Sequence, residues 1–140
     1  MKLTDNFTLE ELVYSDTAQA KGIDNSPSPL IVGRLADLCK KILQPLRDAY
    51  GRPIRVNSGY RSPALNKAVG GSATSDHVNG RAADITAGGK IENMRLFNMI
   101  ANLNLPFDQL IFEKGDKRVG PDWVHVSYNP ERNRRQILYL

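Results

Sequence analysis

The segment Ser75–Ile85, "SDHVNGRAADI", predicts a tight turn followed by a short strand. Gly80 can adopt the left-handed backbone conformation that a reversal needs, and small residues follow it. Asp84 interrupts the apolar run, where an unpaired carboxylate would be costly to bury. His77, the first of only two histidines, lies seven residues before it. The turn could therefore bring both side chains to one point, where a cation would pair with the carboxylate.

A metal site is one of two interpretations of these residues. An aspartate in a strand can instead pair with an arginine, and a single histidine is more often a hydrogen-bonded loop residue than a ligand. The second histidine, His125, has Asp122 three residues before it. Two imidazoles and one carboxylate leave a fourth tetrahedral position open, as in catalytic zinc sites. Since residues three apart on a strand face opposite sides, Asp122 must lie in the preceding turn to reach the same metal.

The composition is typical of one globular domain. The chain has 140 residues, of which 41% are hydrophobic and 24% charged, and this length allows a core without disulfides or metal staples. No run approaches the roughly 18 apolar residues that span a bilayer. The N-terminal residues are acidic where a secretory signal has an apolar core, so no signal peptide is visible. We expect a single domain over residues 1–140 with no membrane partner.

The charge and the single cysteine limit the possible partners. A net charge of +4 favours anionic partners only mildly. The basic C-terminal run lacks the interleaved aromatic residues that stack on bases, so we expect no nucleic-acid partner. Cys39 lies within an apolar helical pattern and excludes both an internal disulfide and a thiolate cluster from one chain. A bound metal would need mainly histidine and carboxylate ligands.

The hydrophobic patterns predict helices mainly first and strands mainly last. Thr8 and Glu11 form a capping-box pattern, and Ser28-Pro29 opens a long helix that Pro45 should kink. Further helices are predicted by "RSPALNKAVG" and "KIENMRLFNMIANLNL", and strands by "PIRVNS", "GRAADITA", "FDQLIFEKG", "DWVHVSY" and "RQILYL". This order lacks regular βα alternation. It indicates an α+β fold with helices on one face of a small, largely antiparallel sheet and the last strand at its edge.

Two spaced motifs resemble those of a known family. The motifs are Ser75-x-His77-x-x-Gly80-x-Ala82-x-Asp84 and Asp122-x-x-His125. They resemble the zinc D-Ala-D-Ala carboxypeptidases and related cell-wall endopeptidases, peptidase family M15. The stretch "SGYRSPALNKAVGG" and the opening "NFTLEELVYSDTA" are similar to segments of small bacterial and phage members. The resemblance implies the compact α+β fold that is also seen in hedgehog-type domains.

The resemblance also implies a role for each matching residue. It implies one Zn²⁺ per chain, with His77, Asp84 and His125 as its ligands. Asp122 matches the general base, and Arg61 matches the arginine that steadies the carbonyl oxygen of the substrate. Four further residues are expected to support the site: Ser58, Tyr60, Ser75 and Gly80.

One position departs from the family pattern. Many relatives have glutamine between the serine and the histidine of the first motif, where this chain has Asp76. Because charged side chains are seldom buried without a partner, we expect Asp76 to point outward. An inward Asp76 would strengthen cation binding or compete for Arg61.

The function implied by the resemblance is zinc-dependent hydrolysis of peptide bonds in peptidoglycan stem peptides. The enzyme would be a D-Ala-D-Ala carboxypeptidase or an endopeptidase that cuts bonds of the L-Ala-D-Glu type, acting as a monomer. A cell-wall substrate without a visible export signal suits either a phage-type lysis enzyme that is made in the cytoplasm and released or a chain trimmed of its leader. The alternative is a non-catalytic, zinc-stabilised module of the same fold, which would not need Asp122 or Arg61.

Overall fold

The computed structural model describes residues 1–140 and contains six α-helices and seven β-strands. The helices are α1 (Leu9–Val13), α2 (Asp16–Lys21), α3 (Pro29–Leu38), α4 (Gln44–Tyr50), α5 (Pro63–Ala68) and α6 (Lys90–Asn102). The strands are β1 (Lys2–Thr4), β2 (Phe7–Thr8), β3 (Arg55–Ser58), β4 (Ala82–Thr86), β5 (Gln109–Glu113), β6 (Trp123–Ser127) and β7 (Gln136–Tyr139). None of the helices combines the length and the apolar character that crossing a bilayer requires.

The main sheet has five strands in the order β3-β4-β6-β5-β7. Neighbouring strands are antiparallel, except that β5 and β7 run parallel. The predicted α+β class and the edge position of the last strand are therefore confirmed. A separate hairpin of β1 and β2, helix α2 and the parallel pairing of β7 were not predicted.

The local signals that begin the helices are also confirmed. Thr8 and Glu11 form the reciprocal capping box of α1, and Ser28 caps α3 with Pro29 in its first turn. The expected irregularity near Pro45 is a π-helical turn at Cys39–Leu43 that joins α3 to α4. A proline has no backbone N–H to donate, and a wider turn before it accommodates the missing hydrogen bond.

The two faces of the main sheet have different compositions, because side chains alternate along each strand. One face packs against the helices and belongs to a single cluster of 22 buried residues. Its members from the three central strands are Ala83, Ile85, Leu110, Phe112, Val124 and Val126. The intervening residues, among them Asp84, Glu113 and His125, lie on the opposite face. The same strands thus complete the core and present polar groups away from it.

The C-terminal strand is held by a buried carboxylate. Asp108, just before β5, accepts hydrogen bonds from the backbone N–H, Nε and Nη2 of Arg134 at 3.2, 2.8 and 3.1 Å. Its carbonyl oxygen accepts another from the N–H of Gln136, at the start of β7. These contacts place β7 beside β5 in parallel, although nothing in the strand pattern itself specifies that partner.

We therefore predict that Asp108→Ala lowers the free energy of unfolding by about 2–3 kcal/mol, measured by urea denaturation. The side chain of Arg134 is 44% exposed, so its charge stays hydrated and the cost comes mainly from lost hydrogen bonds. Asp37→Ala is the matched control, because Asp37 is exposed on α3, and it should change stability by less than about 0.5 kcal/mol. Equal effects of the two changes would contradict this account.

Candidate metal centre

Three side chains, two from the first motif and one from β6, converge on one point. Asp84 on β4 pairs directly with His125 on β6 across the antiparallel ladder. Asp84 Oδ1 lies 3.0 Å from His125 Nδ1 and 3.3 Å from His77 Nε2. One ligand atom from each of the three residues lies within 4.8 Å of the other two. The structure thus brings together the three residues that the motifs select.

Hydrogen bonds fix the orientation of the His77 ring. Its Nδ1 lies 2.7 Å from the carbonyl oxygen of Gly59. Because a carbonyl oxygen only accepts, Nδ1 carries a proton, and Nε2 is the ring nitrogen that faces Asp84. The backbone is held too, since the N–H of Arg61 donates to the His77 carbonyl and Ser75 Oγ accepts from the His77 N–H. Ser75 therefore lies where a supporting role was expected.

The turn between the two first-motif ligands depends on Gly80. Its φ of +68° lies in the left-handed region, which favours glycine. A Cβ there would lie 3.0 Å from the Cγ2 of Ile31, on α3. The backbone then reverses, with the N–H of Arg81 donating to the Asp76 carbonyl. This reversal leads the chain from His77 into β4.

The "SGYRS" stretch, which contains Arg61, borders the same centre. Ser58 pairs with Asp84 in the β3–β4 ladder. Tyr60 is buried in the hydrophobic core. Arg61 is half-buried and its Nε has no hydrogen-bond partner. Burial lowers the pKa of Arg61, and the negative charge of Asp84 opposes that shift. Its guanidinium therefore provides a positive charge and a free donor beside the cluster.

The cluster opens into a cleft of about 620 Å³. Arg61 borders it, together with the loop at positions 69–76. Asp76 is half-buried at this wall, so it does not take the fully outward position that was expected. Lys114 borders the opening and is exposed. A substrate in this cleft would meet cationic side chains as well as the three clustered residues.

Asp122 is not part of this arrangement. It lies immediately before β6, where it would have to lie to reach the same metal as His125. Its carboxylate, however, is 44% exposed and pairs with Lys90 Nζ at 3.1 Å. A different acid, Glu113 at the end of β5, borders the cleft. Burial raises the pKa of Glu113, and the nearby charge of Asp84 raises it further. Glu113 was not predicted from the sequence, because a polar residue at an alternate strand position is typical of any solvent-facing strand.

Asp84 is ionised despite its burial. Burial by itself would raise the pKa of this carboxyl, but the hydrogen bonds with His125 and His77 outweigh it and hold the pKa well below its ordinary value. Nε2 of His77 and the Asp84 oxygen lie 3.3 Å apart, so a positive charge is favourable there, either a second proton on the imidazole or a bound cation. Two imidazole nitrogens and one carboxylate oxygen are a donor set suited to a transition-metal ion such as zinc.

An α+β fold with such a cluster in an open cleft defines a class of proteins with a mononuclear metal centre. The family model of peptidase M15 matches residues 5–127, and this chain belongs to the peptidase M15 family. Over 47 residues the chain is 51% identical to the zinc D-Ala-D-Ala carboxypeptidase of Streptomyces albus G. That match covers 33% of this chain and 18% of the length of the Streptomyces enzyme. The resemblance inferred from the motifs is thereby confirmed at the level of the family.

We predict that Gly59→Ala destabilises the protein by about 2 kcal/mol or more, because a Cβ would lie 2.2 Å from the carbonyl oxygen of Leu12. Gly33→Ala is the control: an added Cβ meets nothing within 4 Å in α3, and alanine is the better helix former by about 1 kcal/mol. Urea denaturation of both variants checks the prediction. A Gly59→Ala protein as stable as the wild type would show that this close contact does not exist.

Proposed function

We propose that this chain is a zinc-dependent peptidase that hydrolyses peptide bonds in peptidoglycan stem peptides, with one Zn²⁺ per chain. The observation that carries the proposal is the convergence of His77, Asp84 and His125 in an open cleft. Membership of the peptidase M15 family supports the reaction class. Similarity to a zinc D-Ala-D-Ala carboxypeptidase supports the metal and the cell-wall substrate.

The three side chains fit zinc as ligands. Structural and catalytic zinc sites take imidazole nitrogen and carboxylate oxygen, and three protein ligands leave one position for substrate or water. The Gly59 carbonyl holds the His77 ring with Nε2 free, which is the usual arrangement around a ligating histidine. Cys39 is buried in the core rather than in the cleft, and so offers no competing thiolate.

The remaining residues of the cleft have roles that follow from their positions. Bound zinc supplies a Lewis acid that polarises the carbonyl group of the scissile bond. Arg61 lies beside the cluster with a free Nε–H, and it donates to the carbonyl oxygen as negative charge develops there. Ser75 and Gly59 keep the His77 ring in place through the backbone and the ring nitrogen.

The bond that is cut is either D-Ala-D-Ala or a bond of the L-Ala-D-Glu type. Both substrates carry a carboxylate near the scissile bond, and the cleft offers Arg61 and Lys114 to pair with it. Charge alone therefore favours neither activity, and peptides of both types belong in the assay. We further propose that residues 1–140 form one domain, because both sheets and helices α1, α3, α4 and α6 share a single core, and that this domain acts as a monomer.

We predict that the zinc-loaded protein cleaves a stem peptide and that His77→Ala and His125→Ala each lose zinc and at least about 100-fold of the turnover. Zinc is measured by mass spectrometry and cleavage by chromatography of muropeptides. Asp37→Asn, exposed on α3, should keep both properties.

The same experiment separates the enzyme from the binding module of the same fold. A wild-type protein that holds one zinc ion but cleaves no D-amino-acid peptide in the panel would contradict the proposed peptidase. That result would favour the non-catalytic, zinc-stabilised module instead.

A further inference from the structure

We propose that Glu113, rather than Asp122, transfers the proton during peptide hydrolysis; this assignment rests on the proposed function. A carboxylate with that role must face the cleft, near the metal ligands, without being one of them. Glu113 borders the cleft with His77, Asp84 and His125. It is not a member of the compact three-residue cluster. Glu113 therefore shares the cleft with the ligands but is not within 4.8 Å of all three ligand atoms.

The strand register places Glu113 on the face of the ligands. In the β5–β6 ladder Ile111 pairs with His125 and Glu113 pairs with Trp123. Glu113 is thus the diagonal neighbour of His125, and such neighbours on one face lie roughly 7–8 Å apart. The strand end is also fixed, since the Glu113 carbonyl accepts from the N–H of Asp122 and the Lys114 N–H donates to the Leu140 carbonyl.

Asp122 is directed to the other side of the sheet. Its partner Lys90 is the first residue of α6, and α6 packs on the core face. The buried amide of Asn93 donates to the carbonyl oxygens of Pro121 and Asp122 at 3.2 and 2.9 Å. These bonds hold the backbone before β6 against α6. The Asp122 carboxylate is thus paired with the start of α6, and Asp122 does not line the cleft.

The groups that face Glu113 suit a proton-transferring carboxylate. Asp84 opposes it with a negative charge, whereas Lys114 and the two histidines are its possible positive neighbours. As water attacks the carbonyl carbon, Glu113 accepts a proton from the water and a C–O bond forms. Glu113 then donates that proton to the amine nitrogen as the C–N bond breaks. One water is consumed, a carboxylic acid and an amine are released, and no oxidation state changes.

The test compares Glu113→Gln, Glu113→Asp and Asp122→Asn in the zinc-loaded full chain. We expect Glu113→Gln to lower kcat by about 10²–10⁴-fold, with zinc content, KM and thermal midpoint close to the wild-type values. Glu113→Asp keeps a carboxylate and should recover part of the lost kcat. Asp122→Asn should lose at least about tenfold less than Glu113→Gln. Glu131→Gln makes the same change at an exposed site and serves as the control.

Each contrary result has a distinct meaning. A Glu113→Gln protein that turns over like the wild type overturns the assignment, as does one that fails to hold zinc, because Glu113 would then be a ligand. An Asp122→Asn protein with the larger loss returns the role to Asp122. A wild-type protein that holds zinc but cleaves nothing overturns the proposed function and this assignment together.

Discussion

The main sheet holds an ionised carboxylate, Asp84, that needs positive partners. Burial disfavours this carboxylate in the middle of a sheet, and only its two histidine partners keep it ionised. Because Nδ1 of His77 already donates to the Gly59 carbonyl, Nε2 can pair with the Asp84 oxygen only through a second proton on the imidazole or a bound cation. A protein with this cluster and no cation would carry an electrostatic cost at the centre of its sheet.

Two features of the fold position this cluster: the alternation of side chains along the strands and two glycines. The strands that carry Asp84 and His125 bury their neighbouring residues in the core, so the ligands are placed by the same packing that stabilises the domain. Gly80 lets the chain turn back into β4, and Gly59 lets the adjoining segment approach Leu12 closely enough to offer its carbonyl to His77. Substitutions in the core are thus expected to shift the ligands, because the same strands carry both sets of residues.

The sequence predicted those parts that depend on local signals. Caps such as Thr8 and Ser28, the Gly80 turn and the spacing of the first motif are readable because neighbouring residues determine them. The pairing of β7 with β5 depends on a buried contact of Asp108 with Arg134, 26 positions away, which has no local signature. Glu113 was missed for a similar reason: the long connection at positions 114–122 leaves the register of β5 against β6 open, and that register decides which acid faces the cleft.

X-ray absorption at the zinc edge, on protein purified without added metal, determines whether His77, Asp84 and His125 hold the metal. We expect two imidazole nitrogens and one or more oxygens at about 2.0–2.2 Å from the zinc, and one imidazole fewer in His125→Ala. Burial raises the pKa of Cys39 to about 12, so no thiolate is available. A sulfur scatterer at about 2.3 Å, or a shell without imidazole, would show that His77, Asp84 and His125 do not hold the metal.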